Sequence, residues 1–304
     1  MAPAPTSGGL RGLLSSLGTS GLGLVVGASL AFGGLAVAGV ATAHTRGGQA
    51  QPPAAQSAAG SAGAGSPVAT APAPTVAPVA AVPVSRSELS RLPQATTYGT
   101  TEAAPVDLTG RSDGTVVTVD ETVAAFASPG GPAVARIPRT QLGLETWLPV
   151  LERAPGWSRV RLPSRPNGST AWVPDGRLRA AHTTWAVRID VRSERLTVTH
   201  AGAAVGSWAV GYGMADTPTP VGETFLLASF TDRNQSYSPV IFATGSHSDT
   251  LDGYGGGPGT VAVHGWPTRS GRLGAVSHGC VRVPAAALEQ FRKLPLGTPI
   301  SITS

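Results

Sequence analysis

The chain is poor in the residues that most often give a protein away. It has one cysteine, Cys280, in 304 residues. An intramolecular disulfide is therefore excluded, and so is a lipid anchor on an N-terminal cysteine. The thiol is left either buried and inert or free and reactive. Lysine is also nearly absent: Lys293 stands alone, and arginine carries almost all of a net charge of +5. The arginines form no dense run and no basic stripe interleaved with aromatics, so nucleic-acid binding is not supported. The glycines from Gly253 to Gly259 are not followed by Gly-Lys-Ser/Thr, which excludes a phosphate cradle. No internal repeat is evident.

Charge is also missing locally, and there the absence is informative. Between Arg11 and Arg46 there is no charged residue, and the stretch Gly12 to Ala43 ends on Ala41-Thr42-Ala43. A positive flank, an apolar segment and a small-x-small ending mark residues 1–44 as a signal peptide or a retained membrane anchor. The protein is thus expected to be exported, to the extracytoplasmic cell wall or the outer face of the cytoplasmic membrane. After it comes a tract such as Gln51-Pro52-Pro53 and Ala71-Pro72-Ala73-Pro74. With so little large apolar surface to offset the cost of ordering, residues 45–114 are expected to be a disordered linker.

Beyond Thr115 the pattern changes to short apolar runs of period two, separated by glycine and proline turns. Trp157-Ser158-Arg159-Val160-Arg161-Leu162 and Ala171-Trp172-Val173 flank the turn Pro166-Asn167-Gly168-Ser169. Gly156-Trp157-Ser158 and Gly168-Ser169-Thr170-Ala171-Trp172-Val173 resemble bacterial SH3-like domains. A small β-barrel of about five strands over 115–181 is expected, serving either as a wall-binding or positioning module or as a spacer. From residue 185 a second β-rich unit runs to 304. Trp185-Ala186-Val187-Arg188-Ile189-Asp190 and Arg195-Leu196-Thr197-Val198-Thr199 alternate as strands. Pro284 opens a helix whose apolar face is Leu288, Phe291 and Leu294, and Pro299-Ile300-Ser301-Ile302 closes as a strand. The fold class is all-β with one C-terminal helix.

The chemistry concentrates in Val261-Ala262-Val263-His264-Gly265 and Ser277-His278-Gly279-Cys280-Val281-Arg282-Val283. In a strand, residues two apart share a face, so His278, Cys280 and Arg282 would project together while Val281 and Val283 enter the core. Gly279 frees the local dihedrals. A free thiol titrates near ~8.5, so little of it is ionised at neutral pH, and a neighbouring imidazole raises the thiolate fraction. On physical grounds the base is either His278 or His264, sixteen positions before the cysteine. Three ligands from His264, His278 and Cys280 would also suit a catalytic zinc, but the spacing of a metal site is missing and no metal is expected. His182, His200 and His247 are surface or packing histidines.

His264-Gly265 with Ser277-His278-Gly279-Cys280-Val281-Arg282 resembles the signature of the L,D-transpeptidase catalytic domain. Three further blocks are similar and in order: Thr217-Pro218-Thr219-Pro220-Val221-Gly222, Gly256-Gly257-Pro258-Gly259-Thr260 and Leu296-Gly297-Thr298-Pro299-Ile300. The resemblance implies a β-sandwich-like sheet domain over 185–304 that needs no cofactor. It makes Cys280 the acylated nucleophile and His264 its general base, with the amides around His278, Gly279 and Cys280 as an oxyanion hole. Ser277 and His278 would shape the site, and Arg282 would hold the loop or meet a substrate carboxylate. Tyr254 and Trp266 are further candidate substrate contacts. The implied activity acts on peptidoglycan stem peptides as donor and acceptor, releasing the terminal D-alanine of a tetrapeptide and forming a 3→3 cross-link, with carbapenems as acylating inhibitors. A cysteine peptidase or L,D-carboxypeptidase on the same residues, or a non-catalytic wall-binding protein, are the alternatives. One departure is Val283-Pro284-Ala285, where many members carry an asparagine.

Overall fold

The structure is a computed structural model and describes residues 77–304, which lie within one compact unit. The expected export segment and the first part of the linker fall outside the described residues. Among the described residues no helix is long and apolar enough to cross a membrane.

Alternating apolar residues broken by glycine and proline give strands almost throughout. The first group is β1 (Thr115–Thr118), β2 (Val123–Phe126), β3 (Ala133–Ile137), β4 (Thr140–Gln141), β5 (Leu144–Glu145), β6 (Leu148–Ala154), β7 (Trp157–Arg161), β8 (Thr170–Pro174) and β9 (Arg179–His182). Seven of these form a sheet in the order β3-β2-β8-β7-β6-β1-β9, larger than the five-stranded barrel expected. Val117, Ala125, Ala135, Val160 and Val173 fill its buried side. The remaining two, β4 and β5, make a hairpin closed by Leu142 and Gly143 at φ 50° and 79°. A two-residue hairpin turn favours positive φ at both central positions, which glycine accepts and leucine resists.

The linker expectation fails over 77–114. A short helix, α1 (Arg86–Arg91), opens with a reciprocal cap between Ser85 and Glu88. Gln94, Thr100 and Val106 then bridge to Arg136, Arg165 and Ser169, and Ala95, Thr97, Thr101 and Ala104 are buried. Small side chains pack under the sheet here, and partners in later strands satisfy the backbone, so the segment needs no large apolar residues of its own.

The second group is β10 (Trp185–Asp190), β11 (Arg195–His200), β12 (Ala203–Ala209), β13 (Gly211–Gly213), β14 (Gly222–Phe230), β15 (Ile241–His247), β16 (Thr260–Gly265), β17 (Gly274–Ser277), β18 (Val281–Val283) and β19 (Pro299–Thr303). They form one curled sheet in the order β12-β11-β10-β19-β14-β15-β16-β18-β13-β17. The helix α2 (Ala285–Phe291) lays Ala287, Leu288 and Phe291 against Val263, Val281, Val283 and Phe242. Strand β14 is buried on both faces. Phe225 and Leu227 join the core of the first sheet, whereas Leu226 joins the core under α2. Each fully buried large side chain there contributes about 2–3 kcal/mol of transfer free energy. The two β units therefore share apolar packing rather than a bare tether.

Candidate active site

Two neighbouring strands build the site by simple alternation. On β16, Val261 and Val263 point into the core, so Thr260, Ala262 and His264 face the other way. On β18, Val281 and Val283 are buried, and Arg282 takes the open face together with Cys280, the residue just before the strand. The strands are parallel, with His264 opposite Arg282 and Val263 opposite Val281. Extending that register by one step puts Cys280 beside Ala262. His264, Cys280 and Arg282 thereby line one cavity of about 380 Å³.

His264 is buried, and its Nδ1 lies 2.7 Å from the Gly265 carbonyl oxygen. A carbonyl only accepts, so Nδ1 carries the proton and Nε2 keeps its lone pair. Burial, opposed by that hydrogen bond and assisted by the Arg282 charge, lowers the imidazole pKa to about 4. Cys280 moves the opposite way. Burial raises its thiol above the ordinary value, against a backbone hydrogen bond from Ala262 and the charge of Arg282. At neutral pH the pair rests as thiol and imidazole, both uncharged. The expected increase in thiolate fraction is absent from the resting state, because desolvation outweighs the favourable neighbours.

The strand expected to carry His278, Cys280 and Arg282 together begins only at Val281. His278 and Gly279 form a bend, with Gly279 at φ 114°. A Cβ added there would meet nothing nearer than the Pro218 oxygen at 3.5 Å, so the glycine is needed for its backbone angle rather than for space. His278 is exposed and stacks on Tyr254 at 5.0 Å between ring centres, reaching the cavity from its rim. Ser277 Oγ donates to the Cys280 carbonyl at 2.5 Å and accepts from the Gly279 amide at 3.1 Å. The Gly279 N–H is thus already engaged.

Arg282 sits over the Trp266 ring, its Cζ 3.6 Å from the ring centre, and donates to the Gly271 carbonyl at 3.3 Å. It holds the loop between β16 and β17 while its charge borders the cavity. Trp266 in turn sits 5.3 Å from Tyr237, which is 4.9 Å from the His264 ring. Tyr237 is a site residue the sequence did not reveal, since it lies in a polar loop without periodicity. Thr217 and Thr219 are two more. Thr219 Oγ1 donates to the Gly279 carbonyl at 2.8 Å and accepts from the Gly213 amide at 2.9 Å, and Thr217 Oγ1 donates to the Ser277 carbonyl at 3.3 Å. Their signal was the Thr-Pro-Thr-Pro string, which marks a turn but not what the turn braces. Among the described residues no group of three or more His, Cys, Asp or Glu side chains is placed to hold a metal ion.

Residues 184–302 match the profile of the YkuD family, the L,D-transpeptidase catalytic domain. This part of the chain is an L,D-transpeptidase catalytic domain. Solved structures similar to the chain include an L,D-transpeptidase from Mycobacterium tuberculosis, at 18% identity over 46% of this chain and 74% of that one, TM-score 0.35. An L,D-transpeptidase from Mycobacterium smegmatis is similar at 17% identity over 49% and 91%, TM-score 0.33. A Bdellovibrio bacteriovorus protein is similar at 22% identity over 40% of this chain, TM-score 0.32, and the match spans 48% of its length. No curated protein matches. The transpeptidase domain thus occupies the curled sheet and α2, and the seven-stranded sheet lies outside the matched range.

Proposed function

We propose that the protein is an exported L,D-transpeptidase that forms 3→3 peptidoglycan cross-links through a Cys280 acyl-enzyme. The observation that carries this reading is that Cys280, immediately before β18, and His264, on the parallel neighbour β16, line one cavity, with His264 Nδ1 committed to a carbonyl and Nε2 left basic. In the acylation step His264 Nε2 takes the thiol proton as Sγ attacks the carbonyl of the third stem residue. The amide bond to the terminal D-alanine breaks, and the proton passes to the departing amine. The side-chain amine of a second stem then attacks the thioester, releasing Sγ, which recovers a proton through His264.

Because the Gly279 amide is donated to Ser277, the reading leaves the developing oxyanion to the neighbouring amides of His278 and Cys280. Ser277 acts by fixing the turn, and Arg282 contributes positive charge at the cavity wall. The unit over 115–181 is taken as an SH3-like module beside the catalytic domain. The test is incubation of the full chain with disaccharide tetrapeptides, followed by mass spectrometry of the products. Cross-linked dimers with loss of D-alanine are expected, and Cys280→Ala should yield none. Shortened stems without dimers would replace transpeptidation by carboxypeptidase activity. Unchanged stems would remove the enzymatic reading.

A further inference from the structure

Three large aromatic side chains are exposed among the described residues: Tyr98, Phe230 and Tyr254, at 67%, 39% and 55%. All three line the catalytic cavity. Every other Phe, Tyr and Trp described is at least partly covered. Exposed aromatics gathered at one opening, rather than scattered, mark a surface that is covered when a ligand is present. Tyr98 does not belong to the transpeptidase domain, and neither do Thr97 and Leu142, which line the same cavity. Leu142 holds φ at 50°, a conformation that leucine adopts at a cost, and it does so at the tip of the β4–β5 hairpin bordering the site.

The same unit also holds the loop that carries Tyr254. Arg165, in the β7–β8 loop, donates Nη1 to the Ser248 carbonyl at 3.1 Å. Its Nη2 reaches the carbonyls of Leu251 at 2.9 Å and Pro258 at 3.1 Å. These three carbonyls bracket both ends of the glycine-rich loop. Asn167 Nδ2 donates to the His247 carbonyl at 2.8 Å and to Asp249 Oδ1 at 2.9 Å, and its Oδ1 accepts from the His247 amide at 2.8 Å. The backbone of Arg165 anchors the Tyr98 segment as well, through Arg165 N–H to the Gly99 carbonyl at 3.0 Å and Thr101 N–H to the Arg165 carbonyl at 2.7 Å. His247 completes the join, its Nε2 donating to the Thr97 carbonyl at 2.7 Å. Arg165 therefore braces the segments of two of the three exposed aromatics, Tyr98 and Tyr254.

We infer that the N-terminal β unit is a working part of the active site. Tyr98 is a specificity residue that packs against the donor stem peptide, and Arg165 is a positioning residue that sets Tyr98 and Tyr254 at the distance that peptide requires. This rests on the transpeptidase reading for the identity of the ligand, but the two fail separately.

The test uses the full chain. Cys280 is alkylated with iodoacetamide with and without disaccharide tetrapeptide, and adducts are counted by intact mass. Cross-linking kinetics are measured in parallel. Tyr98 is mostly exposed, so Tyr98→Ala should melt like the wild type. Arg165→Gln is accepted only with an unchanged alkylation rate in the absence of stem. Both variants are expected to need about tenfold more stem for half-protection and to raise KM by a similar factor, with kcat within about twofold. Protection equal to the wild type in both variants would overturn the inference and make the N-terminal unit a spacer. A changed alkylation rate without stem in Tyr98→Ala would also overturn it, since the residue would then act on the thiol's access. If the wild type is not protected, the inference falls. Cross-linked product in that case keeps the transpeptidase reading, and its absence removes that too.

Discussion

The uncharged resting pair makes a quantitative prediction about the pH dependence of acylation. With the His264 pKa at about 4, roughly nine-tenths of the imidazole is still basic at about pH 5, whereas an imidazole titrating at its ordinary value of ~6.5 would be only about 3% basic there. The two cases differ about thirtyfold in rate at that pH. On the alkaline side, a thiol raised above its ordinary value moves the upper limb beyond the usual cysteine range. Acylation of the full chain by a carbapenem, followed by intact mass over time, should therefore be flat from about pH 5 to about pH 8. The acid limb should have its midpoint near 4, provided circular dichroism shows the protein folded at each point. In His264→Ala the proposed general base is gone, and the rate should climb about tenfold per pH unit with the thiolate fraction. A wild-type acid limb centred near 6.5 would refute the buried neutral imidazole. A tenfold climb per unit in the wild type would refute its role as base.

Three further outcomes follow from the same geometry. Since His264 is depressed in the folded state, the unfolded chain binds more protons between about pH 6.5 and pH 4, and stability contributed by the neutral ring is lost as pH falls through that window. Denaturant titrations should show His264→Gln losing about 3 kcal/mol less than the wild type across it; equal losses would contradict the assignment. Phe225→Ala removes a fully buried ring where β14 joins the two cores and should cost about 3–5 kcal/mol, with the protein still unfolding in one transition by fluorescence and circular dichroism. Two separated transitions would mean that the cores do not support each other. Thr219→Val strips partners from the Gly279 carbonyl and the Gly213 amide, should cost about 1–3 kcal/mol, and should slow carbapenem acylation while Cys280 remains present and titratable.

What could be read in the sequence followed from where the side chains carry the signal. Period-two alternation placed Val281 and Val283 inward and Cys280 and Arg282 outward, because burial of one face dictates the other. The helix after Pro284 was legible for a similar reason, in Leu288 and Phe291. The segment 94–107 was not, since its buried residues are alanine and threonine, the composition that elsewhere marks a linker. Nor could the bend at His278 be separated from a strand: both have the same alternation, and only the φ of Gly279 distinguishes them. Thr219, Tyr237 and Leu142 reach the site through long-range closure of the sheet, for which a single sequence offers no period.

The charge state of the pair shows most clearly why local chemistry did not suffice. A histidine beside a cysteine suggests a thiolate and an imidazolium, which is correct when both can be solvated. Here His264 sits buried beside the tilted rings of Tyr237 and Trp266, and withdrawing two ions from water costs several kcal/mol per ion before their attraction is counted. The nearby cation, Arg282, favours the thiolate but opposes the imidazolium, so it does not stabilise the ion pair as a pair. Neutral groups are then the lower state, and in the proposed reaction charge would separate only when a carbonyl is present to receive the electrons of sulfur. Arg282 and the turn amides are fixed in place beforehand, by Trp266 and Gly271 in one case and by Ser277 and Thr219 in the other. In the proposed acylation they would therefore need little rearrangement as the negative charge passes from Sγ to the carbonyl oxygen. With Cys280 as the proposed nucleophile, this arrangement would keep it quiet toward solvent yet ready for a substrate that fills the cavity. On the proposed reading, the walls of the cavity, including those from the N-terminal unit, would belong to the chemistry as much as the thiol does.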